Sequence, residues 1–184
     1  LYLIGHKIRF HAEALKIALT FGAIASFAMP ITGDLAAKDV AKRQPAKLAA
    51  MEAHFHTEEY APLIIGGIPD IENKKVDYAI EIPGALSFLA HGDFSTGVIG
   101  LDQIPEEEHP PVAVVHYAFQ IMVGLGSLMM LIGIIYAFMA WRKWDYLSKK
   151  WWLWVLSLAT AIGFIALEAG WTVTEVGRQP WIVY

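Results

Sequence analysis

Three long runs without a charged side chain dominate the pattern: residues 17–33, 110–141 and 151–167. The middle run is long enough to cross a bilayer with room to tilt, and the other two reach that length when extended at one end. The first extends back through residues 12–16, because Lys16 can carry its ammonium to the boundary, and the third continues through Ala169 to about residue 174. Helices apolar all round at this length are membrane spans far more often than soluble cores. The pattern therefore predicts an all-α integral membrane fold, with three transmembrane helices of a larger bundle and a mostly irregular or helical external loop. The expected boundaries are 1–32 for a cytoplasmic end and first span, 33–111 for the external segment and 112–141 for the second span. A basic cytoplasmic loop follows at 142–150, then the third span at 151–176 and an external tail at 177–184.

Composition agrees with that reading: the chain is 56% hydrophobic with seven Trp, and its mean hydropathy is +0.44. The lack of Cys excludes disulfides and thiolate metal sites. Charge placement orients the spans. Residues 141–150 carry four basic side chains and one acid between aromatics, and Lys7, Arg9 and Lys16 stand against Glu13 near the start, so both regions are expected in the cytoplasm. The 33–111 segment, with six Lys/Arg against fourteen Asp/Glu, is then outside. The first residue is Leu1, no signal peptide is visible, and the sequence reads as a piece of a longer polytopic chain.

Residues 44–55 of the external segment read as a short amphipathic helix with Pro45 in its first turn. Residues 62–69, 83–89 and 97–104 are Gly- and Pro-punctuated apolar pieces suited to packing on the membrane part. Within residues 44–55, Lys47 and Glu52 are five apart, about 140° around a helix, and flank one face. They are either two solvated charges or a pair that binds a small polar headgroup, Lys47 donating a hydrogen bond and Glu52 accepting a proton. At the end of the third span, Glu168, Trp171, Glu175 and Arg178 fall on one broad helical face. A carboxylate near hydrocarbon needs a partner: Glu175 could hold a metal, relay protons with Glu168, or pair with Arg178 three residues on. Trp171 and Trp181 would otherwise be interfacial anchors. Met122, about ten residues into the second span, is a packing residue or a thioether ligand, with Gly124 and Gly126 leaving room beside it. His116, the one histidine inside a span, lies about 240° from Met122 and reads as a packed side chain.

In combination these pieces resemble subunit I of the cytochrome bd quinol oxidases. The resemblance is carried, in order, by Lys47-Leu48-Ala49-Ala50-Met51-Glu52, by Phe119-Gln120-Ile121-Met122-Val123-Gly124, by Glu168-Ala169-Gly170-Trp171 with Glu175, and by Gly177-Arg178-Gln179-Pro180-Trp181. It covers essentially the whole chain and corresponds to the C-terminal part of that subunit, in a form with a short quinol loop. It implies a terminal oxidase that takes electrons from ubiquinol or menaquinol outside and reduces O2 to water, building a membrane potential without a pump. It also implies a low-spin haem b, a high-spin haem b and haem d. By resemblance, Met122 is an axial ligand of the low-spin haem b iron, Glu175 the ligand of the high-spin haem b iron, and Trp171 an indole between haems. Arg178 lies beside the haem cluster, Glu168 and Trp181 belong to the same cofactor-binding end, and Lys47 and Glu52 form the quinol site. The roles are chemically coherent, since a thioether favours ferrous iron and raises its potential whereas a carboxylate favours ferric iron. Gln120 stands where the family often has Arg. The implied partners are the remainder of subunit I, which carries the family's histidine ligands, a subunit II with or without a small single-span subunit, the lipid bilayer, quinol and O2, with no nucleic acid. The implied location is a bacterial or archaeal cytoplasmic membrane, and this piece alone would be inactive. Two other readings stand beside it: a haem b electron-transfer protein without oxygen chemistry, and a non-redox transporter segment.

Overall fold

The computed structural model describes residues 9–143, 145 and 149–180. Five α-helices carry it: α1 (Arg9–Arg43), α2 (Pro45–Glu52), α3 (Ala85–His91), α4 (Val112–Trp141) and α5 (Lys150–Val176). Three of these, α1, α4 and α5, are long and apolar enough to cross a membrane, so the chain is a multi-pass membrane protein. Large apolar side chains stand out from them, including Phe21, Ile31, Phe164 and Leu167, which is the reverse of a soluble helix surface.

The first helix does not stop near residue 32. It continues for three turns through polar sequence, where Asp34 pairs with Lys38 at 2.6 Å and Asp39 with Arg43 at 2.7 Å. Both pairs set an acid four residues before a base, the favourable order for a helix surface, and Ala36, Ala37 and Ala41 supply helix propensity. The 33–111 segment therefore begins as helix, a continuation that hydropathy alone does not reveal.

Contacts divide the chain into two units. The first comprises Leu1–Ile31 and Val123–Leu167. Its core holds Ala23, Tyr136, Met139 and Trp152, with Leu19, Ile132 and Val155 packed around them. The Thr20 and Tyr136 hydroxyls share a 2.9 Å hydrogen bond, which satisfies two polar groups inside an apolar contact.

The second unit comprises Thr32–Met122 and Glu168–Tyr184. Here α2 is the hub. It is buried from Ala46 to Glu52, not amphipathic, because small Ala49 and Ala50 let it sink among Phe55, Leu101, Val115, Ala118 and Val173. Ala53 closes it in a left-handed conformation, its N–H reaching back to the last turn. The connection to α4 holds structure that the punctuated sequence conceals. Strand β1 (Leu63–Ile65) pairs antiparallel with β4 (Ile80–Ile82), and β2 (Ile68–Asp70) with β3 (Lys75–Asp77), as two nested hairpins. After α3, the chain returns beneath α2: the Leu101 and Asp102 N–H groups donate to the carbonyls of His54 and Phe55. Asp102 also accepts from the Thr57 backbone and hydroxyl, which holds its carboxyl below the usual range.

Candidate functional site

The chemistry-bearing residues of α2, early α4 and late α5 all belong to the second unit. Lys47 and Glu52 are 8% and 3% exposed, so neither is a solvated surface charge. Burial pulls the Lys47 ammonium below its ordinary pKa, the Arg178 cation adds to that effect, and the Glu175 carboxylate opposes it. Lys47 thus senses both charged residues at the end of α5. The Lys47 stem lies against Gly177: a β-carbon there would stand 3.1 Å from Cγ and 3.3 Å from Cε, and would also strike the Val173 carbonyl. Gly177 of the Gly-Arg-Gln-Pro-Trp block is therefore the seat on which the lysine of the Lys-Leu-Ala-Ala-Met-Glu block rests. The two motifs make one contact. Gly177→Ala is expected to cost about 1–3 kcal/mol by overpacking, read as a lower melting temperature of the detergent-solubilised protein; unchanged melting would mean that Lys47 moves aside freely.

Glu52 closes the same helix. Burial pushes its carboxyl up to about 8, partly offset by a hydrogen bond from the Ile64 backbone, and its Oε2 is buried without a partner. An unpaired buried carboxyl oxygen is costly unless something meets it, and a neutral carboxyl at pH 7 lowers that cost. Two side chains of α4 approach the same place. His116, fully buried, bonds the Met51 carbonyl through Nδ1 at 2.9 Å. Gln120 donates from Nε2 to the Ile64 carbonyl at 2.9 Å and accepts the Gly66 N–H at 3.1 Å. The sequence marked His116 only as packed and Gln120 only as a departure from a family habit. Their four-residue spacing, which puts both on one side of α4, was the available signal.

Further along α4, Met122 is half-buried and turns its sulfur towards α5, where a β-carbon on Gly170 would stand 3.0 Å from Sδ. The thioether packs into the space left by the missing side chain at Gly170. Gly170 precedes Trp171 and stands about 7.5 Å along the helix axis from Glu175 at 1.5 Å per residue. Glu168, Trp171, Glu175 and Arg178 are all exposed, Trp171 at 62%, so the broad face they share is not covered by described residues of this chain. The Glu175–Arg178 ion pair that spacing allowed is not formed among the described residues. Trp181 lies outside the described residues, as do His6 and Lys7.

Met122 and Glu175 are side chains that could hold a haem. Among the described residues no three His, Asp or Glu side chains gather to hold a metal ion. A porphyrin supplies four equatorial nitrogens and asks the protein for one or two axial groups, and the thioether of Met122 and the unpaired carboxylate of Glu175 are groups of that kind. An exposed carboxylate at the end of an apolar helix also gains from neutralisation by a cationic iron centre.

Comparison with known proteins points the same way. The sequence pattern of the protein family described as cytochrome bd terminal oxidase subunit I matches residues 1–184. The "Putative cytochrome bd menaquinol oxidase subunit I" of Bacillus subtilis (strain 168) is 43% identical over 180 residues, which are 96% of this chain and 40% of that protein. The cytochrome bd ubiquinol oxidase subunit 1 of the same organism is 31% identical over 187 residues, covering 96% of this chain and 40% of its own length. The solved structure of bd oxidase from Geobacillus thermodenitrificans superposes with a TM-score of 0.85 at 42% identity, covering 95% of this chain and 40% of that one. The chain thus spans about 40% of the length of these relatives.

Proposed function

The chain belongs to the cytochrome bd terminal oxidase subunit I family, and on that premise we propose that it is the quinol-binding and haem-ligating part of a respiratory quinol:O2 oxidoreductase. The observation that carries this reading is the Lys47–Gly177 contact, which sets the buried Lys47–Glu52 helix against the end of α5 that bears Glu175 and Arg178. Electron donor and electron acceptor would then be neighbours, and transfer between them short.

In this reading the bound haems, low-spin b, high-spin b and d, supply one-electron carriage and oxygen binding. The chain's own residues do the rest. Lys47 donates a hydrogen bond to one quinol oxygen, holding the ring over α2. Glu52 Oε2 takes the proton of a quinol hydroxyl as electrons depart; each quinol yields a quinone, two electrons and two protons, and four of each convert one O2 into two waters. Met122 would hold the low-spin haem b iron through its thioether, and Glu175 the high-spin haem b iron through its carboxylate. Trp171 would supply an indole to the cofactor-binding end, Arg178 a cation for anionic groups of the cofactors, and Glu168 and Trp181 further contacts there. With residues 33–111 on the outer face of a bacterial or archaeal cytoplasmic membrane, quinol protons leave outside. Protons for water enter from the cytoplasm, and the separation generates a potential without a pump. The remainder of subunit I, subunit II, with or without a small single-span subunit, and the lipid bilayer complete the assembly.

The relatives are named for menaquinol and for ubiquinol, so both substrates belong in the test. The complete complex, purified in detergent, is expected to show b-type and chlorin absorption and to consume oxygen with a short-chain menaquinol or ubiquinol. Absorption by b haem alone would replace this reading with electron transfer without oxygen chemistry. A colourless complex would replace it with a non-redox membrane protein.

A further inference from the structure

His116 and Gln120 stand one turn apart on α4; His116 Nδ1 and both amide atoms of Gln120 bond backbone beside Glu52, whereas His116 Nε2 is buried without a partner among the described residues. The Met51 carbonyl can only accept, so His116 Nδ1 carries the proton and donates. That carbonyl belongs to the peptide bond whose nitrogen is that of Glu52, so the imidazole fixes the plane from which the Glu52 side chain departs. Gln120 holds this backbone twice, at the Ile64 carbonyl in β1 and at the Gly66 N–H just beyond it, and this pair of contacts also fixes which end of its amide is oxygen. The Ile64 backbone is also the one that favours the charged form of the Glu52 carboxyl. One turn of α4 therefore holds both pieces of backbone beside this carboxyl, the one it grows from and the one that acts on it.

We propose that His116 and Gln120 are positioning residues that jointly lock the Glu52 carboxyl so that Oε2 is the oxygen presented to substrate. The proposal rests on the reading of Glu52 as the proton acceptor for quinol. It accounts for two features that packing leaves unexplained: two polar side chains are inserted between a transmembrane helix and a loop where apolar ones would fill the space, and Oε2 is buried with no protein partner. It also gives Gln120 a task that its neutral amide performs and a guanidinium, which has no acceptor, could not perform at the Gly66 N–H.

The test uses the complete complex, with quinol oxidation and oxygen consumption from an artificial electron donor measured on each variant. H116L and Q120L are each expected to lower kcat/KM for quinol by about tenfold, the worth of one or two net hydrogen bonds, while the haem spectrum and artificial-donor activity stay as in the parent. H116N, whose amide nitrogen can stand where Nδ1 does, is expected to recover most of the loss. In a Glu52→Gln background, H116L and Q120L should add little, because the group they aim is already gone; that non-additivity separates aiming from general support. Losses that simply add in the double variants, or leucine variants with unchanged quinol kinetics, overturn the clamp. If leucine complexes fail to assemble, Q120N, one methylene too short to reach both backbone groups, is read by the same criteria. Full quinol activity in Glu52→Gln alone would instead remove the reading of Glu52 on which the clamp depends, so the two failures are distinct.

Discussion

Met122→Leu is expected to remove the low-spin b-type signal from the reduced-minus-oxidised spectrum of the complete complex and to reduce quinol-driven oxygen consumption to background, while the complex still assembles. Leucine nearly conserves the volume and apolar character of methionine, and such swaps cost less than about 1.5 kcal/mol in a packed helix interface. The loss would therefore be chemical. Leucine has no lone pair to place on iron, so the haem would become five-coordinate or take another ligand, and its potential would fall as the thioether's preference for ferrous iron disappears. Gly170→Ala is a gentler probe of the same atom, since its β-carbon would sit 3.0 Å from Sδ and push the sulfur without removing it. That variant should shift the low-spin band or its potential rather than abolish it. An unchanged spectrum in Met122→Leu would return Met122 to the role of a packing residue.

The spans were legible because their physics is one-dimensional: length and the absence of charge suffice, and Val112–Trp141 follows directly from where its apolar run begins and ends, while Lys150–Val176 follows once the third run is extended past Glu168. The end of α1 was not, because helix and membrane are different questions. Hydropathy falls at Gly33, yet alternating Asp and Lys or Arg four residues apart keep the backbone helical to Arg43. The hairpins were hidden for a related reason. Strands of three residues are too short for alternation to register, and what holds β1 is an amide on α4, more than fifty residues away in sequence. Lys47 and Glu52 could be chosen as a pair from the chain, but spacing alone left them as solvated charges or a binding pair. Burial decides against the first, and it comes with the burial of all of α2, whose Ala49, Ala50 and Met51 pack with Val115, Leu101 and Val173, residues that no local pattern joins to α2. Met122 and Glu175 illustrate the limit from the other side. Their residue types invite ligation, the one facing a glycine and the other exposed and without a salt bridge among the described residues, but the object that would unite them is not made of protein.

Glu52→Gln is expected to cut quinol oxidation by about two to four orders of magnitude, the usual contribution of a positioned general base, while sparing oxygen reduction from an artificial donor. Glutamine keeps the size and neutrality that the carboxyl has at pH 7, so the buried site should hold its shape. The pH dependence makes the assignment sharper. With its pKa pushed up to about 8 by burial, the folded-state carboxyl is protonated about ten to one at pH 7 and cannot accept a proton in that form. The active fraction rises about tenfold per pH unit below 8 and levels off above it, so kcat/KM for quinol should climb with pH and then flatten. Stability runs the other way. The folded carboxyl binds its proton more tightly than the unfolded one, whose pKa is near 4.5, so stability is greatest below that value and is lost as pH rises towards 8, by an amount on the order of 5 kcal/mol when fully ionised. Glu52→Gln should therefore melt at a higher temperature than the parent at pH 9 and at a similar temperature at pH 5, when both are followed in detergent by the same optical signal. A flat rate profile in the parent, or a glutamine variant that oxidises quinol at full speed, would mean that the proton leaves by another route and that Glu52 is buried for packing alone.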